Sequence, residues 1–286
     1  MPEAYLHCQD SLDPWSLPDD WEAPKAVFTS PRYNKGMDYG ATVSGGKIGD
    51  DDVDSDYLSH LSGAWSRCHR ETDPKASLWI NSKPDSVLDT LSVCVAESSG
   101  WVLQTVFAWV YHLAMPDGQS LGQFNSNPKA INPHSGFELV RLYHKAGEGP
   151  VRLRRDAPGV GVPYMDKSNL TRFTAATRGE IKPDLRCRGN VWVVPYETRV
   201  RRDHPCPFPT RLPELAFRLL DLPPRSVVAD PFCGTGAAGV AAVRCGLKFV
   251  GLDLNPSYVD AARSRLSKER LFRALGVWRD QGGGEK

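Results

Sequence analysis

The residues whose types and spacing most suggest chemistry are three glycines near the carboxyl end of the chain. Gly234, Gly236 and Gly239 form the pattern Gly-x-Gly-x-x-Gly within DPFCGTGAAG, after the apolar run SVVAD and before AAGVAAVRCG. This order predicts a strand, a tight turn and a helix whose first amides suit an anionic group. The next apolar run, KFVGLD, ends at Asp253, whose carboxylate suits ribose hydroxyls. The pattern therefore predicts a nucleoside site.

The position of the glycines in the chain limits the size of this ligand. By motif alone NAD is favoured, but only 47 residues follow Gly239, enough for one strand and one long helix. A dinucleotide needs a second mononucleotide-binding half. We therefore expect a ligand with one nucleoside and a tail, on a sheet that upstream residues complete.

The second stretch with chemical potential is AVFTSPRYN, at 26–34. The apolar run predicts a strand that ends at Thr29, followed by a turn in which Tyr33 presents an aromatic ring beside small polar groups. Ligands of open α/β sheets bind beyond the carboxyl ends of the strands. If the two strands are neighbours, this turn and the glycine-rich turn face one crevice, where one binds the substrate and the other the cofactor.

The net charge of +1 conceals an uneven distribution of charge. Residues 1–100 contain 8 Lys and Arg against 17 Asp and Glu, whereas residues 150–202 contain 12 against 5, with 10 arginines. Arginine suits phosphate groups and guanine edges, so the basic segment predicts contact with nucleic acid, and a solvated loop is the alternative. The acidic run GDDDVDSD at 49–56 lacks the glycine and glutamate of a calcium loop and is expected to be a solvated, mobile loop.

Composition limits the remaining possibilities. With 286 residues and 41% hydrophobic content, the chain can bury a large core as one domain or one domain with an insertion. No apolar run approaches 18 residues and MPEAYLHCQD lacks the features of an export signal, so we expect a soluble, cytoplasmic protein. The 7 cysteines include no Cys-x-x-Cys pair and the histidines lack ligand spacing, so no metal site is expected.

Together these motifs resemble amino-directed DNA methyltransferases of the permuted class, in which the catalytic motif precedes the S-adenosylmethionine motif. SPRY (30–33) is similar to the catalytic turn (Asp/Ser/Asn)-Pro-Pro-(Tyr/Phe/Trp), and DPFCGTG (230–236) to the cofactor loop. HPCPFP (204–209) resembles the segment before that loop, and GLDLNPSYVDAARSRL (251–266) the acidic strand end and helix after it. YLHCQDSLD, GQFNSNPKAINPHSGFELVRLYHK and RCRGNVWVVPYET extend the resemblance over nearly the whole chain, the last two being most similar to cytosine-N4 members.

The resemblance implies an α/β, Rossmann-like methyltransferase fold with a twisted mixed sheet, a circularly permuted motif order and a loop-rich target-recognition insertion. Residues 1–148 would form the catalytic half of the sheet, 149–203 the insertion and 204–275 the cofactor half. A disordered tail would follow at 276–286. SLWINSK and WVLQTVFAWVYHLA are expected as further strands.

The resemblance also implies S-adenosylmethionine as the cofactor, double-stranded DNA as the substrate and no metal. The Ser30 hydroxyl and the Pro31 carbonyl would accept hydrogen bonds from the exocyclic amine of a flipped-out base, on which Tyr33 would stack. The expected cofactor-binding residues are Asp10, Pro207, Phe208, Asp230, Phe232, Gly234, Thr235, Gly236, Asp253 and Asn255. The expected DNA-binding residues are Arg32, Arg152, Arg154, Arg186 and Arg188.

Three features complicate the resemblance. Arg32 stands where the family usually has its second proline. Three interpretations are open: the arginine loosens the loop, it contacts a phosphate group, or it marks a weakened enzyme. Gln9 stands where the family often has glycine before the acid matched by Asp10. Pro205-Cys206 is similar to the nucleophile of carbon-5 cytosine methyltransferases, but it precedes the cofactor loop instead of following it. Direct transfer without a thiolate is therefore favoured.

The target base is expected to be cytosine, at N4. Serine at position 30 and the resemblance of RCRGNVWVVPYET favour it over the alternative, adenine N6. A catalytically inactive DNA-binding protein with a degenerate methyltransferase fold is the alternative of another class, motivated by Arg32. A cognate restriction endonuclease encoded elsewhere and a homodimer are further partners that the resemblance allows.

Overall fold

The computed structural model describes residues 3–32, 42–43, 46–47, 54–84, 87–114, 120–121, 136–155, 157, 159–160, 162–163, 185–186, 188–196 and 207–275. Its strands are β1 (Ala4–Cys8), β2 (Ala26–Thr29), β3 (Thr42–Val43), β4 (Gly46–Lys47), β5 (Ser77–Ser82), β6 (Trp101–Val110), β7 (Leu113–Ala114), β8 (Ser120–Leu121), β9 (Phe137–Lys145), β10 (Val162–Pro163), β11 (Leu185–Arg186), β12 (Val191–Val193), β13 (Val227–Asp230) and β14 (Lys248–Asp253). Its helices are α1 (Asp54–Glu71), α2 (Val87–Ser98), α3 (Arg211–Leu220), α4 (Ala237–Cys245) and α5 (Pro256–Ala274).

Eight of these strands form one mixed sheet, in the order β1-β14-β13-β2-β5-β9-β6-β12. Neighbouring strands are parallel except at β9, which runs antiparallel to both β5 and β6. The late strands β13 and β14 lie between the early strands β1 and β2. Upstream residues therefore complete the sheet around the glycine-rich turn, as the sequence predicts.

Both faces of the sheet are covered, which explains why β2 and β13 are apolar up to their last residue and why the polar residues of β5 are buried as well. All residues of these three strands are buried. Val27 and Leu78 pack on one face, in the cluster that includes residues of α1 and α2. Phe28 and Trp79 pack on the other face, against α3, α4 and α5. The sheet is thus the middle layer between two helical layers.

Most strands and helices expected from the sequence are confirmed. AVFT, SVVAD and KFVGLD supply β2, β13 and β14, and the small-residue helix α4 ends at Cys245 with Gly246 as a left-handed cap at φ 76°. SLWINSK supplies β5, and WVLQTVFAWVYHLA divides into β6 and the short β7. None of the described helices is long and apolar enough to cross a membrane.

Two expectations from the sequence differ in part from the structure: the loop at 49–56 and the loop-rich insertion at 149–203. A loop was predicted for the whole acidic run 49–56, and this is wrong for its last residues, because α1 begins at Asp54. Acidic residues in the first turn of a helix stabilise it, since they lie at the positive end of the helix dipole. Within 149–203, Val160 is buried in the core and Trp192 of β12 is fully buried beside Phe107, with ring centroids 4.5 Å apart. Val160 and Trp192 therefore belong to the main core, whereas β10 and β11 of the same segment pair only with each other in a separate two-stranded sheet. The expected tail at 276–286 lies outside the described residues.

Candidate active site

The candidate site lies at the carboxyl edge of the parallel strands, where β2 and β13 are neighbours. Thr29 ends β2 and Asp230 ends β13. The Thr29 hydroxyl donates a hydrogen bond of 2.7 Å to Asp230 Oδ1, and both residues are fully buried. The turn that begins at Ser30 and the glycine-rich turn after Asp230 therefore start side by side.

Ser30 is held by the next strand of the sheet. Its hydroxyl donates to the backbone carbonyl of Asn81 at 3.1 Å, and Asn81 Nδ2 donates to Ser30 Oγ at 3.5 Å. The same Asn81 Nδ2 donates to Glu138 Oε2 at 2.7 Å, and both of these side chains are buried. Because the serine proton is directed at a carbonyl, its oxygen is oriented as an acceptor. Pro31 is buried beside it, whereas Tyr33 lies outside the described residues.

Sequence inspection missed Asn81 and Glu138. A signal was present for Asn81, because it is a polar residue near the carboxyl end of the apolar strand SLWINS. Glu138 lies opposite Trp109 at the start of β9, and this antiparallel strand begins at the edge where β5 ends. That pairing cannot be read from local sequence.

Asp230 is the most strongly perturbed carboxyl group of the site. Its pKa is raised to about 7, mainly by burial and also by the charge of Asp253, while hydrogen bonds from the Thr29 hydroxyl and the Phe232 amide oppose the rise. Both of these hydrogen bonds go to Oδ1. Its Oδ2 atom is buried and has no hydrogen-bond partner among the residues that the structure describes. A buried carboxylate with one unsatisfied oxygen suits a cationic ligand group.

The glycine-rich turn needs glycine for two different reasons. Gly236 precedes α4 with a φ of 82°, a left-handed conformation that other residues rarely adopt. Gly239, inside α4, packs so close to β14 that an added Cβ would lie 2.8 Å from the Phe249 ring. Thr235, which directly precedes Gly236, is buried, and its hydroxyl and carbonyl both accept hydrogen bonds from Arg265 of α5.

Asp253, at the end of β14, connects the glycine-rich turn to the start of α5. Its Oδ2 accepts a 2.8 Å hydrogen bond from the Gly234 amide and its Oδ1 accepts one of 2.8 Å from the Asn255 amide. Burial raises its pKa, and these two hydrogen bonds oppose that rise. Asn255 caps α5 by accepting from the Ser257 amide at 2.9 Å. Asp253 therefore shapes the turn, whether or not it also contacts a ribose.

Asp10 lies at the same edge, because Cys8 of β1 pairs with Asp253 of β14. Its Oδ1 accepts from the Leu12 amide at 2.9 Å and lies 4.0 Å from Nε2 of His60, on α1. The His60 ring is 6.1 Å from the ring of Phe232, which follows β13. The carboxylate, the imidazole and the phenyl ring thus lie together. His60 carried no sequence signal, because it occurs singly within a helix.

Pro207 and Phe208 precede α3 on the other face of the sheet. The Phe208 ring is half-buried, with its centroid 5.5 Å from that of Phe28, and it packs against the core there. Phe28 lies two positions before Ser30 in the chain. Phe208 therefore lies near β2, on the face opposite His60.

Residues 25–264 match the model of the N6/N4 DNA methylase family. The chain belongs to this family. The match includes both turns and all the strands between them. The Type II methyltransferase M.HpaI of Haemophilus parainfluenzae is 22% identical over 250 residues, covering 85% of this chain and 68% of that protein. The DNA adenine methyltransferase YhdJ of Escherichia coli (strain K12) is 22% identical over 268 residues, covering 88% of this chain and 79% of that protein.

Solved structures of other DNA methylases share the fold. The cytosine-N4-specific PvuII DNA methyltransferase gives a TM-score of 0.60 at 16% identity, covering 96% of this chain and 93% of that chain. M1.HpyAVI, solved as a complex with SAM, gives a TM-score of 0.55 at 16% identity, covering 92% and 98%. The α/β methyltransferase fold implied by the sequence motifs is confirmed.

The arginines expected to contact DNA differ in their surroundings in this methylase. Arg154 forms a 2.7 Å ion pair with Asp221, which directly follows α3 on the way to the amino end of β13. Arg152 is exposed on the same extended segment. Arg188 donates to the Val160 carbonyl at 2.7 Å, and burial lowers the pKa of its guanidinium. Arg186 lies on β11.

The cysteine of the glycine-rich turn is not suited to act as a thiolate nucleophile. Cys233, in the glycine-rich turn, is buried, and burial raises the pKa of its thiol well above the ordinary value. A thiol of this kind stays protonated at neutral pH. Cys206 lies outside the described residues, and those that are described include no cluster of side chains suited to a metal ion.

Proposed function

We propose that this DNA methylase transfers a methyl group from S-adenosylmethionine to the exocyclic N4 amine of a cytosine flipped out of double-stranded DNA. The observation that carries the proposal is the adjacency of two turns with different chemistry. One begins with Ser30, whose oxygen is oriented as an acceptor, and the other follows the buried Asp230. A substrate amine at the first turn would lie next to a cofactor at the second.

The residues of the second turn fit S-adenosylmethionine. The unsatisfied Oδ2 of Asp230 suits a cationic end of the cofactor. The backbone around Gly234 and Gly236 offers close approach, and Asp253 and Asp10 offer carboxylate oxygens for ribose hydroxyls and the adenine amine. Phe232, Phe208 and Pro207 offer apolar walls. Thr235 would act through its backbone amide, since its hydroxyl and its carbonyl both accept from Arg265.

The first turn fits an exocyclic amine. Such an amine is a poor nucleophile, because its lone pair is delocalised into the base, whereas the sulfonium of the cofactor supplies an already activated methyl group. The Ser30 oxygen and the Pro31 carbonyl would accept the two amine hydrogens, which directs the nitrogen lone pair towards the methyl group. As the N–C bond forms, the C–S bond to the methyl group breaks, the cofactor would leave as a neutral thioether, and the amine loses one proton to solvent. Tyr33 stacks on the base. No covalent intermediate with the protein is required.

The amine of a paired base is inaccessible, so the base leaves the duplex before transfer. The arginine-rich segment supplies positive charge for the distorted phosphate backbone. The proposed contacts are Arg32, which belongs to the catalytic turn, and Arg152, Arg186 and Arg188 of the arginine-rich segment. Of the five arginines expected from the sequence to bind DNA, Arg154 is the least favoured as a contact, because it is paired with Asp221.

Cytosine N4 is preferred to adenine N6 because serine, not aspartate, occupies position 30. The fold similarity to the cytosine-N4-specific PvuII enzyme is compatible with this choice. Adenine N6 is the second candidate, since YhdJ is named a DNA adenine methyltransferase. A restriction endonuclease partner and a homodimer stay predictions from the sequence.

The test is incubation of the protein with S-adenosylmethionine labelled with tritium on the methyl group and with duplex DNA of mixed sequence. Tritium in the DNA supports methyl transfer, and release of the nucleosides identifies the base. DNA binding without any label would support the inactive DNA-binding protein instead. The Ser30→Ala variant is the control for transfer at this site.

A further inference from the structure

The catalytic turn has a second attachment that the proposed chemistry does not use. Tyr57, in the first turn of α1, is 5% exposed and packs in the core cluster between the sheet and α1. Its hydroxyl donates a hydrogen bond of 2.6 Å to the backbone carbonyl of Arg32. The Arg32 guanidinium carbon lies 5.8 Å from the centroid of the Tyr57 ring. Tyr57 thus contacts both the backbone and the side chain of Arg32.

This contact lies at the one position where the turn departs from the family pattern. Proline fixes its own φ near −65°, so a second proline after Pro31 would restrict the turn covalently. Arginine imposes no such restriction. A hydrogen bond from a buried side chain to the carbonyl of residue 32 restricts the same stretch of backbone from outside, and a cation over an aromatic ring adds a further contact.

We infer that Tyr57 is a positioning residue that holds the catalytic turn in place of the missing proline. This inference rests on the proposed function, because the turn matters only if Ser30 and Pro31 meet the substrate. Ser30 is fixed to β5 through Asn81, and Arg32 is fixed to α1 through Tyr57. The turn is therefore attached on both sides of Pro31. Arg32 is compatible with an active enzyme and does not by itself indicate a degenerate one.

The test compares wild type, Tyr57→Phe, Arg32→Pro and the double variant. Tyr57→Phe removes only the hydroxyl and keeps the packed ring. We expect kcat for methyl transfer to fall about fivefold, the typical effect of one hydrogen bond, with the KM for S-adenosylmethionine unchanged. In the Arg32→Pro background the same substitution should cost less than about twofold, because proline already restricts the turn.

Hydrogen exchange tests the role of Tyr57 independently of methyltransferase activity. Hydrogen exchange of the peptide 26–32 should accelerate in Tyr57→Phe relative to wild type. Tyr143→Phe is the matched control, since Tyr143 lies in the same core cluster but pairs with Leu78 at the start of β5, at the opposite edge of the sheet. It should change neither kcat nor exchange at 26–32, and thermal melting should verify that all variants fold.

The outcomes separate the inference from the proposed function. Equal kcat and equal exchange in Tyr57→Phe and wild type would overturn the positioning role. An equal penalty in both backgrounds would overturn the compensation for proline. If wild type transfers no methyl group, the proposed function fails, and the exchange measurement alone then decides whether Tyr57 holds the turn.

Discussion

Thr29 donates a 2.7 Å hydrogen bond to Asp230, and this contact connects the strand that leads into the catalytic turn with the strand that leads into the cofactor turn. The two residues are 201 positions apart in the chain. Both are fully buried. The relative position of the two turns is therefore fixed inside the sheet and does not depend on the loops above it.

The first prediction concerns this hydrogen bond. Thr29→Val keeps the shape of the side chain but removes a donor to a buried carboxyl group, so the free energy of unfolding should fall by about 1 to 3 kcal/mol at pH 8. The loss should be smaller at pH 5, where Asp230 is protonated. Chemical denaturation at both pH values is the measurement.

Thr72→Val is the matched control for Thr29→Val. The buried Thr72 hydroxyl donates at 2.6 Å to the Cys68 carbonyl, which does not titrate. Its loss should cost about 1 kcal/mol at both pH values. If Thr29→Val lowered the free energy of unfolding equally at pH 5 and pH 8, Asp230 would not change from protonated to ionised between these pH values.

The second prediction follows from the raised pKa of Asp230. The pKa rises from 3.8 to about 7 on folding, so between these values only the folded protein keeps the proton. The free energy of unfolding should therefore fall as pH rises through this interval, by about 1.4 kcal/mol per pH unit from this residue. Asp230→Asn should lack this component in denaturation experiments across pH 4.5 to 7.5.

The same substitution also tests the cofactor site. An ionised Asp230 favours a cationic ligand, so the affinity of wild type for S-adenosylmethionine should rise between about pH 6 and 8. The affinity of Asp230→Asn should change much less over the same range, by calorimetry. Parallel pH profiles for the two proteins would remove Asp230 from the cofactor site.

The third prediction concerns Asp253. Asp253→Ala should weaken S-adenosylmethionine binding by roughly tenfold to a hundredfold, because a charge-assisted hydrogen bond is worth about 1.5 to 3 kcal/mol. The substitution also frees the amides of Gly234 and Asn255, so a cofactor analogue without ribose hydroxyls is needed. Asp253→Ala should weaken that analogue less than it weakens S-adenosylmethionine, because only the freed amides contribute to the loss. If wild type bound NAD but not S-adenosylmethionine, the assignment of this site to S-adenosylmethionine would be wrong.

The fourth prediction distinguishes the arginines. Arg186→Ala should flatten the dependence of DNA affinity on salt by about one unit of slope on logarithmic axes, the loss of one phosphate contact. Arg154→Ala should leave the slope unchanged, because Arg154 is paired with Asp221. Arg188→Ala should lower stability as well, since its guanidinium donates to the Val160 carbonyl. Salt titrations of DNA binding measure the slopes, and unchanged slopes throughout would favour the solvated loop.

The strands and turns of the site could be predicted because their signals are local. An apolar run followed by a turn motif identified both β2 with Ser30 and β13 with Gly234. The alternation of Val27 and Phe28 between two buried faces follows from the same runs. Such patterns do not depend on which distant strand lies alongside.

The contacts that hold the turns could not be predicted, because each joins residues far apart in sequence. Glu138 meets Asn81 only because β9 inserts antiparallel beside β5. Tyr57 reaches Arg32 only because the acidic run leads into a helix, and the sequence favoured a loop there. The basic segment was interpreted by its charge, although Val160 and Trp192 also build the core.

The fifth prediction is that transfer is direct. Cys206→Ser should keep activity, because an amine nitrogen attacks the methyl group without a thiolate. Ser30→Ala should lower the rate about a hundredfold or more by removing a preorganised contact at the reacting centre. Tyr33→Ala should also lose most activity, and Tyr33→Phe less, since a phenyl ring still stacks. The assay is methyl transfer to duplex DNA at saturating cofactor. A trapped covalent complex with DNA through Cys206 would contradict direct transfer.

The central claim is tested most directly by mass spectrometry of the nucleosides released from duplex DNA after incubation with the protein and S-adenosylmethionine labelled on the methyl group. The account predicts labelled N4-methylcytosine with wild type and almost none with Ser30→Ala. Label found in N6-methyladenine would contradict the choice of base. Label found at carbon 5 of cytosine, or absent from the DNA altogether, would contradict the proposed chemistry.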